Sequence, residues 1–142
     1  MKPGNSITKP GIVETKNGDT KLEHEELTGK IIGAAIEVQR ALGPGFIESI
    51  YERALVIALR KRGLKVEQQV EVRIYFDGED VGAHRLDLFV ENEIIVDLKA
   101  IKDFTDLHFA IVKSQLRAAG RRHGLLLNFA KPTLEIKRVI CD

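Results

Sequence analysis

The sequence has no tryptophan, a single cysteine and almost no net charge. Cys141 has no second cysteine with which to form an intrachain disulfide, which fits a reducing cytosol. No Cys/His spacing resembles a zinc site. The chain also has no apolar run of about 18 residues and no apolar signal core near its start. We therefore expect a cytoplasmic protein with no membrane partner.

The net charge of +1 lacks the basic excess of most strong nucleic-acid binders. Basic residues are nevertheless clustered, and bound cations at an acidic site would leave these clusters facing phosphate. The alternative is that they are solvated helix ends, where cations are favoured. Both interpretations stay open. The candidate nucleic-acid-binding residues are Arg60, Arg62, Arg117, Arg121 and Arg122.

A length of 142 residues predicts one domain. Residues 1–26 contain Gly, Pro, Asn, Thr and Lys with scattered apolar residues, which predicts a flexible arm that is dispensable for folding. The domain is then expected over residues 27–142. Deleting the arm should therefore leave the thermal stability largely unchanged.

Periodicity predicts the order α-α-β-β-β-α-β-β. The third helix connects two strands, which favours a right-handed crossover and a mixed sheet. We expect an α/β fold with one mixed sheet and helices packed on it. The predicted helices cover 27–42, 47–62 and 105–119, and the predicted strands cover 64–76, 81–90, 94–101, 124–129 and 134–140.

Charged residues interrupt the most apolar stretch, where Glu91-Asn92-Glu93 predicts a hairpin turn. Residues two apart share a strand face, so Asp97 and Lys99 emerge together, roughly 6–7 Å apart. The hairpin can bring Asp87 beside them. This pattern suits a hard metal ion next to a fixed positive charge. The alternative is a half-exposed ion pair and an acid at a strand end, with about equal weight.

A second group stands at the start of the second helix. Glu48, Tyr51 and Glu52 are at i, i+3 and i+4 and share a helix face. Glu48 would also complement the helix dipole, and Tyr51 could equally be an aromatic residue at the edge of the core. His84, of different strand parity from Asp87, is expected to be structural.

The segment Gly45-x-x-Glu48-x-x-Tyr51 resembles the signature of the GxxExxY proteins, a bacterial and archaeal family of the PD-(D/E)xK nuclease superfamily. The similarity continues in order through Leu86-Asp87-Leu88, Asp97-Leu98-Lys99, Gln115 and the stretch 124–129. It covers about residues 27–140. The sequence departs from the family at Leu86, where a proline is frequent, at Asp97, where Glu is frequent, at Gln39 and at Arg117-Ala118.

The resemblance implies a restriction-endonuclease-like core in which a helix supplies one acid and a strand hairpin supplies the others. It implies Mg²⁺ or Mn²⁺ as cofactor, held by Glu48, Asp87, Asp97 and the backbone carbonyl of Leu98. Tyr51 and Glu52 would be accessory. The catalytic residues would be Glu48, Asp87, Asp97, Lys99 and Gln115.

We therefore expect a divalent-metal-dependent nuclease acting on DNA, with RNA left open. Its three carboxylates should lie within about 8 Å of one another, close enough to share an ion. The alternatives are a nucleic-acid-binding or interaction module with the same fold and little or no catalysis, and a structure-specific resolvase that acts as a dimer. Small size and near-neutral charge favour a homodimer or a protein partner.

Overall fold

The structure, a computed structural model, describes the backbone of residues 16–142 and the side chains from residue 24 onward. It contains three helices and five strands within this range, in the predicted order. Their bounds are α1 Lys16–Leu42, α2 Glu48–Lys61, β1 Val66–Phe76, β2 Glu79–Val90, β3 Ile94–Lys99, α3 Asp106–Ala119, β4 His123–Asn128 and β5 Glu135–Ile140.

The strands form one sheet in the order β1-β2-β3-β4-β5. Only β3 and β4 run parallel, and α3 connects them; every other neighbouring pair is antiparallel. One apolar cluster lies between the sheet and helices α1 and α2, and a second lies between the sheet and α3. The predicted α/β fold with a mixed sheet flanked by helices is confirmed.

Helix α1 begins earlier than predicted, at Lys16 instead of Leu27. Residues 16–26 of the predicted arm are therefore helical, and the division of the chain into an arm and a domain stays a prediction. His24 near this end contacts Glu93 in the β2–β3 turn, with Nε2 and Oε2 2.9 Å apart. The rest of the predicted arm, residues 1–15, lies outside the described residues, and its dispensability stays a prediction.

Strands β2 and β3 pair along only three residues each, and the last pair of this ladder is Leu88 with Val96. Beyond that point β2 continues with β1 alone, as a two-stranded hairpin that ends at the turn 77–78. Asp87 is the first residue of β2 that has left β3. The divergence opens the sheet beside Asp97.

The same point is irregular on the β1 side. Gln69, which stands opposite Asp87, has a positive φ of 53° and is missing from the β1–β2 ladder. Leu86 packs into the α3 cluster, whereas Leu88, two residues on, packs into the α1/α2 cluster. Since regular strands keep i and i+2 on one face, β2 changes face at Asp87.

None of the described helices is long and apolar enough to cross a membrane.

Candidate active site

Asp87 spans the gap where the two strands diverge. Its Oδ2 accepts a hydrogen bond of 2.9 Å from the backbone amide of Leu98 on β3. Burial and then the negative charge of Asp97 raise the pKa of Asp87 to about 6, although the Leu98 N–H acts in the opposite direction. Asp97 is thus a near neighbour whose negative charge opposes ionisation of Asp87. The two acids form a carboxylate pair.

Asp97 and Lys99 emerge on the same face of β3, as predicted. Lys99 Nζ lies 3.2 Å from Asp97 Oδ1. Partial burial lowers the pKa of Lys99, but the charges of Asp97, Glu48 and Asp87 outweigh it and leave that pKa raised. Lys99 is therefore a fixed cation next to the acids, since an amine that keeps its proton is a poor base.

Glu48 contacts the end of β3 from helix α2, which lies on the face of the sheet opposite to α3. It is the first residue of α2, and its Oε2 accepts a hydrogen bond of 3.3 Å from the amide of Ala100. The amides of Leu98 and Ala100 are two residues apart, so the carboxylates of Asp87 and Glu48 meet one edge of β3 on the order of 7 Å apart. These two acids, together with Asp97 on β3 itself, are called the acid row below.

This row is not a ready metal cage. Among the described residues, no three His, Cys, Asp or Glu side chains lie close enough together to hold an ion. The backbone amides of Leu98 and Ala100 bind Asp87 and Glu48 separately and hold these two acids apart. The expectation that all three acids share one ion therefore stays a prediction.

The carboxylate pair nevertheless suits a hard cation. Asp97 is only 5% exposed. Its Oδ1 accepts no hydrogen bond among the described residues, although Lys99 Nζ is near. Lys99 supplies one positive charge to two neighbouring carboxylates, so a second cation would still be favourable once both acids are ionised. Oxygen donors such as these are the ligands that Mg²⁺ and Mn²⁺ prefer.

All the site residues described above fall within the part of the chain that matches a known protein family. A family model described as the PD-(D/E)XK nuclease superfamily matches residues 25–139. This chain belongs to the PD-(D/E)XK nuclease superfamily. Neither a curated protein nor a solved structure gives a significant match. Membership of the narrower GxxExxY family therefore stays a prediction.

Tyr51 is a core residue in this superfamily member and does not face the acids. It is fully buried, and its ring stacks on Phe129 with centroids 4.7 Å apart. Its hydroxyl donates to the Gly43 carbonyl at 2.5 Å and accepts from the Phe46 amide at 3.2 Å. Tyr51 thus holds the loop before α2, where Gly45 has a φ of 114° that favours glycine. Its contacts support the loop before Glu48, and an accessory role in catalysis stays a prediction.

Glu52 also supports the scaffold. Its carboxylate accepts hydrogen bonds from the side-chain amides of Gln68 and Gln69, at 3.0–3.1 Å. The contact ties α2 to β1 at the irregular position opposite Asp87. Glu52 therefore supports β1 opposite Asp87, and its accessory role at the site stays a prediction.

Gln115 lies on the layer that covers the sheet face of Asp97 and Lys99. It is buried on α3, and its Oε1 accepts no hydrogen bond among the described residues. No hydrogen bond joins Gln115 to the acids or to Lys99 within the same range, so its catalytic role stays a prediction. The Nε2 atom of His84, which was expected to be structural, lies 2.8 Å from Ser114 Oγ on α3.

The five candidate nucleic-acid-binding arginines lie at the other end of the molecule. β3 and β4 are parallel, so Arg121 and Arg122, just before β4, are at the edge away from Lys99. Arg121 donates to the carbonyl of Asn92 in the β2–β3 turn at 2.8 Å. Arg117 ends α3 on the same side.

The α2 arginines follow the same arrangement. Arg60 is twelve positions after Glu48 on α2, which places it about 18 Å along the axis. Arg60 donates to the Val66 carbonyl and Arg62 pairs with Glu37. These cations do not surround the acids, and their part in binding stays a prediction.

Two groups at the site were not singled out from the sequence. The amide of Ala100 is invisible to side-chain patterns. Asn128 lies in the stretch 124–129 that carries the family resemblance, but the resemblance implies no role for it. The only signal for it is a polar residue at the end of the apolar run Leu125-Leu126-Leu127, where a buried amide needs hydrogen-bond partners.

Proposed function

We propose that the chain is a divalent-metal-dependent nuclease that hydrolyses phosphodiester bonds in DNA. The observation that supports this most is the carboxylate pair Asp87 and Asp97, with Lys99 Nζ 3.2 Å from Asp97. This group lies where β2 and β3 diverge, in a chain of the PD-(D/E)XK nuclease superfamily. A backbone opening beside a cation and two acids suits one phosphate of a nucleic-acid strand.

In this proposal Asp87, Asp97 and the Leu98 carbonyl would hold Mg²⁺ or Mn²⁺, which prefer oxygen ligands. Glu48, about one strand repeat away, would add its negative charge beside that group. A bound ion would supply charge stabilisation to the scissile phosphate and a more acidic water. The Asp87–Asp97 repulsion makes the pair receptive to such a charge.

The remaining steps belong to the side chains. Lys99 stays protonated and directs its charge at the oxygens on which negative charge develops. Glu48, fixed on the Ala100 amide by one oxygen, keeps the other free to orient the attacking water. Gln115 is proposed as an accessory residue because its buried Oε1 lacks a donor.

The competing function is a binding module that keeps the fold without cleavage. Basic residues at the end away from the acids fit that alternative equally well, since they can hold phosphate without any ion. A dimeric resolvase is a narrower form of the first proposal. The distinction therefore depends on whether the purified protein cuts.

The decisive experiment is cleavage of labelled duplex DNA, single-stranded DNA, branched DNA and RNA with Mg²⁺, Mn²⁺ or a chelator. Lys99→Ala should lower the cleavage rate by about 100-fold or more, the usual cost of losing one electrostatic stabiliser. Asp87→Asn should abolish cleavage. Lys102→Ala and Asp77→Asn are matched controls, because both residues are exposed and outside the acid row.

Two results would contradict the proposal. One is cleavage that persists in chelator. The other is a folded Lys99→Ala protein that cuts as fast as Lys102→Ala. A wild type that binds DNA and cuts none of the substrates with either ion would favour the binding module.

A further inference from the structure

Asn128 is the last residue of β4 and stands opposite Lys99 in the parallel β3–β4 register. Its side chain is fully buried. A buried amide of this kind must find partners for its donors and acceptors. Asn128 finds them in the segment that leaves β3 and in the start of the β4–β5 connection.

The bonds to Ile101 have the form of a strand pair. Asn128 Oδ1 accepts from the Ile101 amide at 3.1 Å, and Nδ2 donates to the Ile101 carbonyl at 2.8 Å. Oδ1 also accepts from Ala130 N at 3.1 Å, and Nδ2 donates to Glu135 Oε1 at 3.3 Å. All the hydrogen-bonding capacity of the side-chain amide is used.

Beyond the end of β3, the Asn128 side chain thus makes the hydrogen bonds that a neighbouring strand would otherwise make. The Phe129 amide donates to the Lys99 carbonyl at 2.9 Å. Lys99 and Ile101 are thus fixed on either side of Ala100, whose amide donates to Glu48. The segment that carries the cation and meets the helix acid is held by β4.

A network of ion pairs next to Asn128 also connects these two segments. Lys131 Nζ lies 3.1 Å from Asp103 Oδ1 and 3.2 Å from Glu135 Oε1. Glu135 therefore contacts both Asn128 and Lys131. The network joins the loop after β3 to the connection after β4, on the same side as the acid row.

We infer that Asn128 is a positioning residue of the active site. Its side-chain amide holds residues 99–101 so that Lys99 and the Ala100 amide keep their places relative to Asp97 and Glu48. This inference rests on the proposed nuclease function. Asn suits the position because two acceptor contacts and two donor contacts must come from one short side chain, which neither Asp nor Leu can supply.

A purely structural role predicts lost stability and nothing else, so the test needs a variant that loses stability elsewhere. Asn128→Asp keeps the shape and Oδ1 but removes both donors and adds a charge facing Glu135. Glu135→Gln in the same chain returns a donor to that contact, and Glu135→Gln alone is its reference. Val139→Ala is the control, because Val139 is buried on β5 opposite Gly124, at the other end of β4.

Three quantities are measured for each protein well below its melting temperature. They are Mn²⁺ affinity by titration calorimetry, kcat and KM for DNA cleavage, and amide hydrogen exchange of Ala100 and Ile101. For Asn128→Asp we expect about 10-fold or more weaker Mn²⁺ binding or lower kcat, the usual cost of losing an outer-shell partner. KM for DNA should change little, and both amides should exchange faster.

In Val139→Ala, kcat, Mn²⁺ affinity and both amides should stay close to wild type, whatever stability is lost. The double variant should recover part of the kcat that Asn128→Asp loses. Folded Asn128→Asp with wild-type kcat and Mn²⁺ affinity would overturn the inference, as would equal losses in Val139→Ala.

A wild-type protein that does not cleave DNA would contradict the proposed nuclease function without testing the positioning role. The exchange and Mn²⁺ data would then decide on the positioning role. Protection of Ala100 and Ile101 that is unchanged in Asn128→Asp would overturn that role.

Discussion

Asp87 accepts a hydrogen bond from the backbone amide of Leu98, although the ladder between their strands ends at the pair Leu88 and Val96. The side chain replaces a backbone acceptor at the point of divergence. One acid thereby closes the end of the ladder and faces a second acid, Asp97. Because Asp87 is both partly buried and close to Asp97, burial and charge repulsion both raise its pKa.

The stability of the protein should depend on the protonation of Asp87 when no metal is added. The folded-state pKa is raised from 3.8 to about 6, so the folded state binds the proton more tightly than the unfolded chain. This stabilisation is complete below about pH 4 and is lost as pH rises through about 6. Asp87→Asn should therefore be more stable than wild type by about 2 kcal/mol at pH 7.5 and similar to it at pH 4.

Urea unfolding at both pH values, in chelator, measures this difference. Asp77→Asn removes the same charge from the exposed hairpin turn and should show no such pH dependence. An equal gain at pH 4 and pH 7.5 would contradict the assignment to Asp87, as would no gain at pH 7.5.

Divalent ions should stabilise the wild-type fold. An ion held by the carboxylate pair relieves its repulsion, and binding at 100 times the dissociation constant adds about 2.7 kcal/mol. Thermal unfolding with Mg²⁺ or Mn²⁺ should show a rise that chelator reverses. The rise should increase as pH passes through about 6, because Asp87 must lose its proton.

The ion effect should disappear in Asp87→Asn and remain in Asp77→Asn. Equal ion-induced shifts in these two variants would place the ion elsewhere on the protein.

Tyr51 should matter through its hydroxyl and not only through its ring. Tyr51→Phe keeps the stacking on Phe129 but loses the bonds to Gly43 and Phe46. We expect a stability loss of about 1–2 kcal/mol and slower metal-dependent cleavage, since the loop before Glu48 is released. Chemical denaturation and single-turnover cleavage measure the two effects. Tyr75→Phe, on the exposed hairpin end, should change neither.

The arginines at the far end of the sheet should affect binding without affecting chemistry. Arg117→Ala and Arg122→Ala should weaken DNA binding, and each should lower the salt slope by about one if it contacts a phosphate. The rate at saturating DNA should stay unchanged, because both residues lie at the edge away from Lys99. Binding isotherms at several salt concentrations provide the measurement, with exposed Lys30→Ala as control. A fall in the saturated rate would contradict this placement.

Local features of the sequence were sufficient to predict the order and type of the helices and strands, although not the start of α1. Gly43-Pro44-Gly45 separates two helical patterns, Gly120 ends α3 with a φ of 68°, and an apolar run predicts the central strand β4. The shared face of Asp97 and Lys99 also follows from strand geometry alone. Each of these depends on neighbours within a few residues, where spacing and backbone preference dominate.

The site needed contacts between distant segments. The local sequence around Asp87 and Gln69 does not predict that β2 separates from β3 there. The separation depends on the registers of the β1–β2 and β2–β3 ladders. Tyr51 shares a helix face with Glu48, yet one is buried and the other exposed, because the sheet and Phe129 cover only part of that face. The basic clusters are separated from the acids by the parallel β3–β4 pair. Asn128 acquires a role only when Ile101, 27 positions earlier, lies beside it.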